Sequence, residues 1–225
     1  MGKKTKVHTR YKNAEGKVVP SVTTIIDNIG WNKHILMNWV KKTTLAGEDP
    51  DKVRDKAADI GTIAHAIIEE RITSEAPHLE TIYAERDEYS SADLIKAEIA
   101  FEAYLDWEKK MNLDYTDERV RSEVRMVSEW YQYGGTADLL APLGDVFSLI
   151  DFKSSNGVYR EMVIQLSAYE WMVEENMNVA VPAHLLQVGK DEPDFHHYQF
   201  SDLSPAFDAF KAARQLHDLK KLIKT

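Results

Sequence analysis

The chain contains no cysteine. This absence excludes disulfide bonds, zinc-thiolate centres and iron-sulfur clusters held by cysteine. Long apolar stretches are also lacking, since no run approaches the roughly 20 residues that a membrane-spanning helix needs. The lysines at the start (Lys3, Lys4, Lys6) precede no apolar segment of the kind found in signal peptides. We therefore expect a protein of the cytoplasm with no membrane partner.

Positive charge is scarce: 28 lysines and arginines stand against 37 aspartates and glutamates, for a formal net charge of -9. Nonspecific affinity for nucleic acid comes largely from basic side chains that neutralise phosphates, so this balance disfavours a simple nucleic-acid-binding module. An enzyme is less constrained, because it needs carboxylates for metal ions and can concentrate its basic residues along one groove. The length of 225 residues and the 44% hydrophobic content suit one globular domain.

Hydrophobic periodicity divides this domain into a helical first part, residues 1–112, and a mixed second part, residues 113–225. The first part is predicted to contain a hairpin at 7–19, a short helix capped by Ser21 and ended by Gly30, helices at 33–42, 51–72 and 92–111, and a polar loop at 74–91. The second part is predicted to contain an antiparallel meander of strands at 123–127, 131–140 and 146–152, a helix at 160–175, strands at 183–188 and 196–200, and a helix at 204–223. This order predicts an α/β or α+β fold with a sheet flanked by helices.

Two aspartates and a lysine form the strongest chemical pattern. Asp138 lies near the middle of one predicted strand, and Asp151 and Lys153 end the next strand of the same hairpin. Adjacent carboxylates in a partly buried site repel each other unless a proton or a cation lies between them, and their oxygens suit Mg²⁺ or Mn²⁺. Residues two apart on a strand share a face, so Lys153 would lie beside the metal while Phe152 points to the opposite layer. The alternative is an ordinary salt bridge at a strand end.

Polar residues on two predicted helices extend the pattern. Gln165 and Tyr169 are four positions apart and share a helix face that is otherwise apolar, where a lysine, a carboxylate or a phosphate would satisfy them. His65 follows Gly61 on the helix at 51–72, and a glycine there permits close approach to a sheet and brings the imidazole towards a metal. The alternatives are a helix margin for Gln165 and Tyr169 and a satisfied structural histidine for His65.

Taken in order, these elements resemble the PD-(D/E)XK nuclease superfamily, and within it the RecB-like exonucleases. The matching residues are Gly61-Thr62 with His65, Glu123, the stretch from Gly135 to Asp138, Asp151-Phe152-Lys153, and Gln165 with Tyr169. Residues 20–25 are similar to the N-terminal region of single-strand exonucleases of the mitochondrial genome maintenance type and their phage counterparts. The resemblance implies a restriction-endonuclease-like core, with a central mixed sheet flanked by helices and an N-terminal helical elaboration.

The resemblance also implies roles for these positions. Three side chains, one backbone carbonyl and one catalytic lysine would form the centre, namely His65, Asp138 and Asp151 with the carbonyl of Phe152 as ligands of Mg²⁺ or Mn²⁺, and Lys153. Gln165 and Tyr169 would support the lysine or the scissile phosphate. Glu123 matches an acidic catalytic position of the first strand, with Glu129 as a rival for that position. The cluster cysteines of CRISPR-associated and helicase-linked members are absent, so no iron-sulfur cluster is expected.

The function implied by the resemblance is that of a metal-dependent DNA exonuclease, acting on single-stranded DNA or on DNA ends in a bacterial or phage-infected cell. A structure-specific endonuclease and a catalytically inactive nucleic-acid-binding protein are alternatives on the same fold. Stacking and backbone charge hold single strands, so basic and aromatic side chains are the candidate DNA contacts. They are Lys41, Lys42, Arg119, Arg121, Arg125, Arg160, Tyr11, Trp31 and Trp39.

Overall fold

The computed structural model describes residues 9–74 and 89–223. Its helices are α1 (Val22–Ile26), α2 (Lys33–Leu45), α3 (Pro50–Thr73), α4 (Ser91–Met111), α5 (Arg160–Met177) and α6 (Ser204–Leu222). Its strands are β1 (Tyr11–Lys12), β2 (Val18–Val19), β3 (Arg121–Ser128), β4 (Tyr133–Leu143), β5 (Val146–Lys153), β6 (Ala183–Val188) and β7 (Phe195–Phe200). Within the two described ranges, no helix is both long enough and apolar enough to cross a membrane.

A five-stranded sheet with the order β3-β4-β5-β6-β7 forms the centre of the fold. Strands β3, β4 and β5 are antiparallel neighbours, which is the predicted meander. The chain then crosses over through α5, so that β6 lies parallel to β5, and β7 returns antiparallel to β6. The sheet is therefore mixed and carries helices on its faces, and the predicted fold class is confirmed.

Helices cover both faces of the sheet because the strands carry apolar residues on both sides. Helices α1, α5 and α6 pack against the face that contains Leu149, whereas α3 and α4 pack against the face that contains Ile150. Neighbouring residues of β5 thus enter opposite cores. The same alternation directs Asp151 and Phe152 to opposite faces of the sheet. The ring centroid of Phe152 lies 6.4 Å from that of Trp107 on α4.

The observed elements differ from the predicted ones mainly at two turns. Helix α1 ends at Ile26 and not at Gly30, which instead adopts a φ of 64° in the turn before α2. Strand β4 continues through Pro142 to Leu143, where the sequence predicts a turn, because the reversal at Gly144 and Asp145 is short enough to leave both residues paired with β5. The polar loop predicted at 74–91 lies mostly outside the described residues, as do the first two positions of the predicted hairpin.

The N-terminal hairpin is attached to the start of β4. Ser21 caps α1 as predicted, because its side chain accepts a hydrogen bond of 3.1 Å from the N–H of Thr24. The N–H of Gly134 donates to the carbonyl oxygen of Pro20 at 3.0 Å. Tyr11 packs so closely over Gly134 that a Cβ at this glycine would lie 2.3 Å from the tyrosine side chain. Because Gly134 has no side chain, the start of β4 leaves room for the ring of Tyr11 in the N-terminal hairpin.

Gly135 permits a second close approach, between β4 and α5. A Cβ at this buried position would lie 2.6 Å from the ring of Tyr169 and 2.9 Å from the methyl group of Met172. We expect Gly135→Ala to lower the free energy of unfolding by about 1–3 kcal/mol, the usual cost of overpacking a core. Chemical denaturation measures this change. Gly157→Ala is the matched control, since a Cβ there meets nothing within 4 Å, and equal losses in the two variants would contradict the close packing.

Candidate active site

Asp138 and Asp151 occupy facing positions on β4 and β5. The register that pairs Leu139 with Ile150 places the two aspartates at the next step along these strands. Asp151 is 1% exposed, and the Asp138 side chain is 14% exposed. The Oδ2 atom of Asp138 accepts a hydrogen bond of 2.6 Å from the N–H of Phe152, which fixes this carboxylate across the hairpin. The fold thus brings together the two carboxylates that the sequence places on adjacent strands.

His65 on α3 and Glu123 on β3 complete a group of possible metal ligands around Asp138. The pairing of β3 with β4 sets Glu123 opposite Asp138, and the glutamate has a φ of 49°, which is rare for this residue type. The Nδ1 atom of His65 lies 3.7 Å from Oδ1 of Asp138. One ligand atom from each of the three residues lies within 4.8 Å of the other two. A single cation could therefore contact all three.

Lys153 forms an ion pair with Asp151 on the same face of β5, through Nζ and Oδ2. Desolvation opposes the charge of this amine, but the charges of Asp151 and Asp138 outweigh it and raise the pKa of Lys153. Burial raises the pKa of Asp151 to about 6, against the opposing effect of Lys153. The lysine side chain is only 16% exposed. Because its pKa is raised, the amine stays protonated beside the two aspartates.

The remaining carboxyl groups are poorly stabilised as anions. Desolvation, followed by the charges of Asp138 and Glu69, raises the pKa of Glu123 to about 8. Burial also raises the pKa of Asp138. A divalent cation among these oxygens would relieve both the desolvation and the mutual repulsion. Two carboxylates and an imidazole at this spacing therefore fit a hard ion such as Mg²⁺.

His65 is held in the neutral form that a metal ligand requires. Desolvation lowers its pKa to about 4, with a further contribution from the positive charge of Lys153. Helix α3 reaches this position because Gly61 has no side chain: a Cβ there would lie 2.9 Å from Oγ of Ser154, just beyond the end of β5. The close approach of helix and sheet expected from Gly61 is present in the fold.

Gln165 and Tyr169 face the site from α5. Nε2 of Gln165 donates a hydrogen bond of 2.7 Å to the hydroxyl of Tyr169, so the two side chains satisfy each other. Burial, followed by the charge of Asp151, raises the pKa of Tyr169 well above its ordinary value, and the phenol stays protonated. The phenol is therefore close enough to the carboxylate centre to be affected by its charge, while its support of Lys153 or a phosphate stays a prediction.

The sequence profile of the PD-(D/E)XK nuclease superfamily matches residues 39–223. The chain belongs to the PD-(D/E)XK nuclease superfamily. The matched range contains every side chain of the site described above, and among the described residues the hairpin, α1 and the start of α2 precede it. Membership makes this protein a hydrolase that acts on nucleic acid.

One solved structure shares the fold of this chain. A presumed exonuclease from Eubacterium rectale superposes with a TM-score of 0.56 and 15% sequence identity, over 75% of this nuclease and 69% of that chain. At this identity the likeness shows the fold alone. The crystal structure of SSO0001 gives a TM-score of 0.35 and 16% identity over 75% of this nuclease and 76% of that chain, which is too distant to support an argument. No curated protein matches the chain.

Six of the side chains predicted to contact DNA are exposed, whereas Trp39 on α2 is half-buried. The six are Trp31 just before α2, Lys41 and Lys42 on α2, Arg121 and Arg125 on β3, and Arg160 at the start of α5. The side chain of Asn32 donates a hydrogen bond of 2.5 Å to Glu161, which connects the turn before α2 to the first turn of α5. The pKa of Glu123 is raised mainly by desolvation, and the charge of Arg125 opposes this shift, so this arginine lies near that one carboxyl group.

Two other candidate contacts are engaged within the fold. The hydroxyl of Tyr11 forms a hydrogen bond of 2.8 Å with Oγ1 of Thr136, and the ring covers Gly134. Arg119 forms an ion pair with Asp117, with an N–O distance of 2.6 Å. These two side chains are therefore less available to a nucleic acid than those on α2 and β3.

The fold also separates the two glutamates that the sequence leaves as rivals. Glu129 lies in the turn after β3, where its Oε1 atom accepts a hydrogen bond of 2.7 Å from the N–H of Ala14, and it takes no part in the ligand group. Sequence reasoning assigns Glu123 to catalysis and not to metal binding, whereas the structure places it among the possible ligands. Helical spacing predicts that Glu69 shares one face of α3 with His65, and the charge of Glu69 contributes to the raised pKa of Glu123.

Proposed function

We propose that this nuclease is a Mg²⁺- or Mn²⁺-dependent deoxyribonuclease that degrades single-stranded DNA or DNA ends exonucleolytically. The main support for this proposal is the group formed by His65, Glu123 and Asp138, whose ligand atoms lie within 4.8 Å of one another. This group adjoins Asp151 through the facing positions of β4 and β5, and Asp151 in turn holds Lys153. Ligands for a cation and a protonated amine thus share one partly buried site.

The metal would be held by side chains from four elements and by one backbone group, namely His65, Glu123, Asp138, Asp151 and the carbonyl of Phe152. Glu123 is added to the ligands expected from the sequence because of its position opposite Asp138. When bound, the ion supplies Lewis-acid polarisation of the phosphoryl oxygens and lowers the pKa of water. The imidazole of His65 contributes no charge, so the carboxylates balance the charge of the cation.

Lys153 is the residue that would act directly on the reacting phosphate. Hydrolysis adds a water oxygen to phosphorus and breaks one ester P–O bond, so negative charge accumulates on the phosphoryl oxygens. The protonated amine of Lys153 stabilises that charge and orients the water, while its ion pair with Asp151 fixes its position. The hydrogen-bonded pair of Gln165 and Tyr169 would hold the adjoining wall of the site in place.

Single-stranded DNA is the proposed substrate because of the surface around α2. Residues 30–47 contain three lysines and no acidic residue, in a chain whose net charge is -9. Apolar side chains on the same segment are unusually exposed, including Trp31 at 52% and Met37 at 69%. Positive charge combined with exposed aromatic and apolar surface suits a strand whose bases are unpaired.

The mode of digestion is tested with linear and circular single-stranded DNA of the same sequence in the presence of Mg²⁺. An exonuclease shortens the linear strand progressively from a labelled end and leaves the circle intact. Equal cutting of both substrates would contradict the proposal and favour a structure-specific endonuclease. Parallel reactions with double-stranded DNA and with RNA establish the preference for strand type.

The lysines of α2 give a prediction for substrate binding. We expect Lys41→Gln combined with Lys42→Gln to raise KM about three- to ten-fold at ~0.2 M salt and to leave kcat unchanged, because these side chains would contact only the backbone. The dependence of log KM on log salt should become shallower by roughly 1.4, which is about 0.7 for each lost contact with a single strand. Lys220→Gln combined with Lys221→Gln is the matched control, since these adjacent lysines lie in the last turn of α6. Identical salt slopes in the two double variants would contradict the role of α2.

A further inference from the structure

A cleft of about 340 Å³ opens directly beside the carboxylate centre. Ala57 and Ala58 of α3 form one wall, and the end of β5 with Ser154 and Ser155 forms the opposite wall. His65, Phe152 and Lys153 border both the cleft and the catalytic group. A molecule bound at the carboxylates would therefore extend into this cleft.

The cleft is open because its walls consist of small residues and fixed backbone. Ala57 and Ala58 carry only methyl groups. Gly61, one helical turn further along α3, has no side chain where the helix faces Ser154. The opposite wall is held by hydrogen bonds: Nε2 of Gln187 donates to the carbonyl oxygen of Ser155 at 2.8 Å, and Oγ of Ser155 donates to the carbonyl oxygen of Gly157 at 2.7 Å. Its shape is thus set by the fold before any ligand enters.

Lys190 lines the far side of the cleft, in the turn between β6 and β7. The turn is closed by a hydrogen bond of 2.8 Å from the N–H of Gly189 to the carbonyl oxygen of Asp194. The neighbouring carboxylate of Asp191 is engaged by Lys96 at 2.5 Å. Among residues 9–74 and 89–223, no carboxylate forms an ion pair with Lys190, which is partly buried. Desolvation lowers the pKa of Lys190, and the nearby charge of Asp191, which is itself paired with Lys96, only partly offsets this effect.

We propose that Lys190 and the cleft form a subsite for the backbone phosphate next to the scissile phosphate of the bound strand. A partly desolvated amine that forms no ion pair gains from a phosphate oxygen, because charge-assisted hydrogen bonds are the stronger ones. A strand carries one phosphate per nucleotide, so a second phosphate must lie close to the one at the carboxylates. This inference rests on the proposed function and assigns a positioning residue outside the catalytic group.

The test uses the full-length nuclease and single-stranded oligonucleotides in which a methylphosphonate replaces one phosphodiester at a time. Binding is measured by fluorescence anisotropy, and cleavage is measured under single-turnover conditions with Mg²⁺. In the wild type, one position adjoining the cleaved bond should weaken binding roughly ten-fold when its charge is removed. Lys190→Gln should raise Kd by a similar factor and leave the single-turnover rate at saturating enzyme nearly unchanged. The variant should also lose the sensitivity at that one position and keep it elsewhere.

Two further variants control for loss of charge and for misfolding. Lys190→Arg keeps the charge and should retain the position-specific sensitivity. Lys220→Gln removes a charge from α6, on the opposite face of the sheet, and should behave like the wild type. Equal sensitivity of wild type and Lys190→Gln at every position, in binding and in cleavage, would overturn the subsite. Failure of the proposed function has a different signature, namely the absence of Mg²⁺-dependent cleavage by the wild type.

Discussion

Lys153→Gln is expected to lower kcat by roughly 10²–10³-fold, which is the usual loss when one group that stabilises transition-state charge is removed. The amine is partly buried beside Asp151, and among residues 9–74 and 89–223 no other lysine or arginine forms an ion pair with Asp138 or Asp151. Glutamine has a similar length but carries no charge. Substrate binding through α2 and β3 should persist, so KM should change much less than kcat.

Several measurements separate this loss from misfolding. Circular dichroism and thermal melting should show a folded Lys153→Gln protein, because Asp151 already has a raised pKa and can accept a proton once its partner is lost. Lys153→Arg should recover only part of the activity, since the guanidinium has a different shape and spreads its charge. Turnover of Lys153→Gln at the wild-type rate would refute the role of the lysine.

Asp138→Asn is expected to abolish Mg²⁺ binding and to lower activity about as much as Lys153→Gln. Asp138 is the common member of the pairs with His65, Glu123 and Asp151, so its charge contributes to every part of the ligand group. The amide oxygen of asparagine can still accept the hydrogen bond from the N–H of Phe152. The fold should therefore survive the substitution while the affinity for the cation is lost.

The difference in melting temperature between Asp138→Asn and the wild type should depend on Mg²⁺. Because burial raises the pKa of Asp138, its ionised form is unfavourable in the folded protein without metal at neutral pH, and the neutral amide should melt at the same temperature or higher. Saturating Mg²⁺ at about 100 times its Kd should stabilise the wild type by ~2.7 kcal/mol and should have no effect on Asp138→Asn. Asp145→Asn, at an exposed turn, should respond like the wild type. An equal rise in the melting temperature of Asp138→Asn would contradict the metal site.

The adjacency of Asp138 and Asp151 could be predicted from the sequence because local rules determine it. The alternation along β5 separates Asp151 from Phe152, and a short turn at Gly144 fixes which residues of β4 and β5 face each other. The hydrogen-bonded pair of Gln165 and Tyr169 follows in the same way from helical spacing. The order of helices and strands was predictable for the same reason.

The choice between Glu123 and Glu129 could not be made from the sequence. Both residues lie in or just after one strand, and their separation depends on a distant contact, the hydrogen bond of Glu129 with Ala14. The left-handed conformation of Glu123 leaves no sequence signal, since it is imposed by the pairing of β3 and β4 on a residue that does not favour it. Lys190 was equally inaccessible, because only the parallel placement of β6 beside β5 brings its turn to the site.

The most direct test of a metal-dependent nuclease is the single-turnover cleavage rate of an end-labelled single-stranded oligonucleotide by the wild type across a titration of Mg²⁺. We predict no product in the presence of a chelator, a rate that rises and saturates as Mg²⁺ is added, and recovery of the rate when Mn²⁺ replaces Mg²⁺. Cleavage that continues at an undiminished rate in excess chelator would contradict the assignment of the His65, Glu123, Asp138 and Asp151 group as a catalytic metal centre.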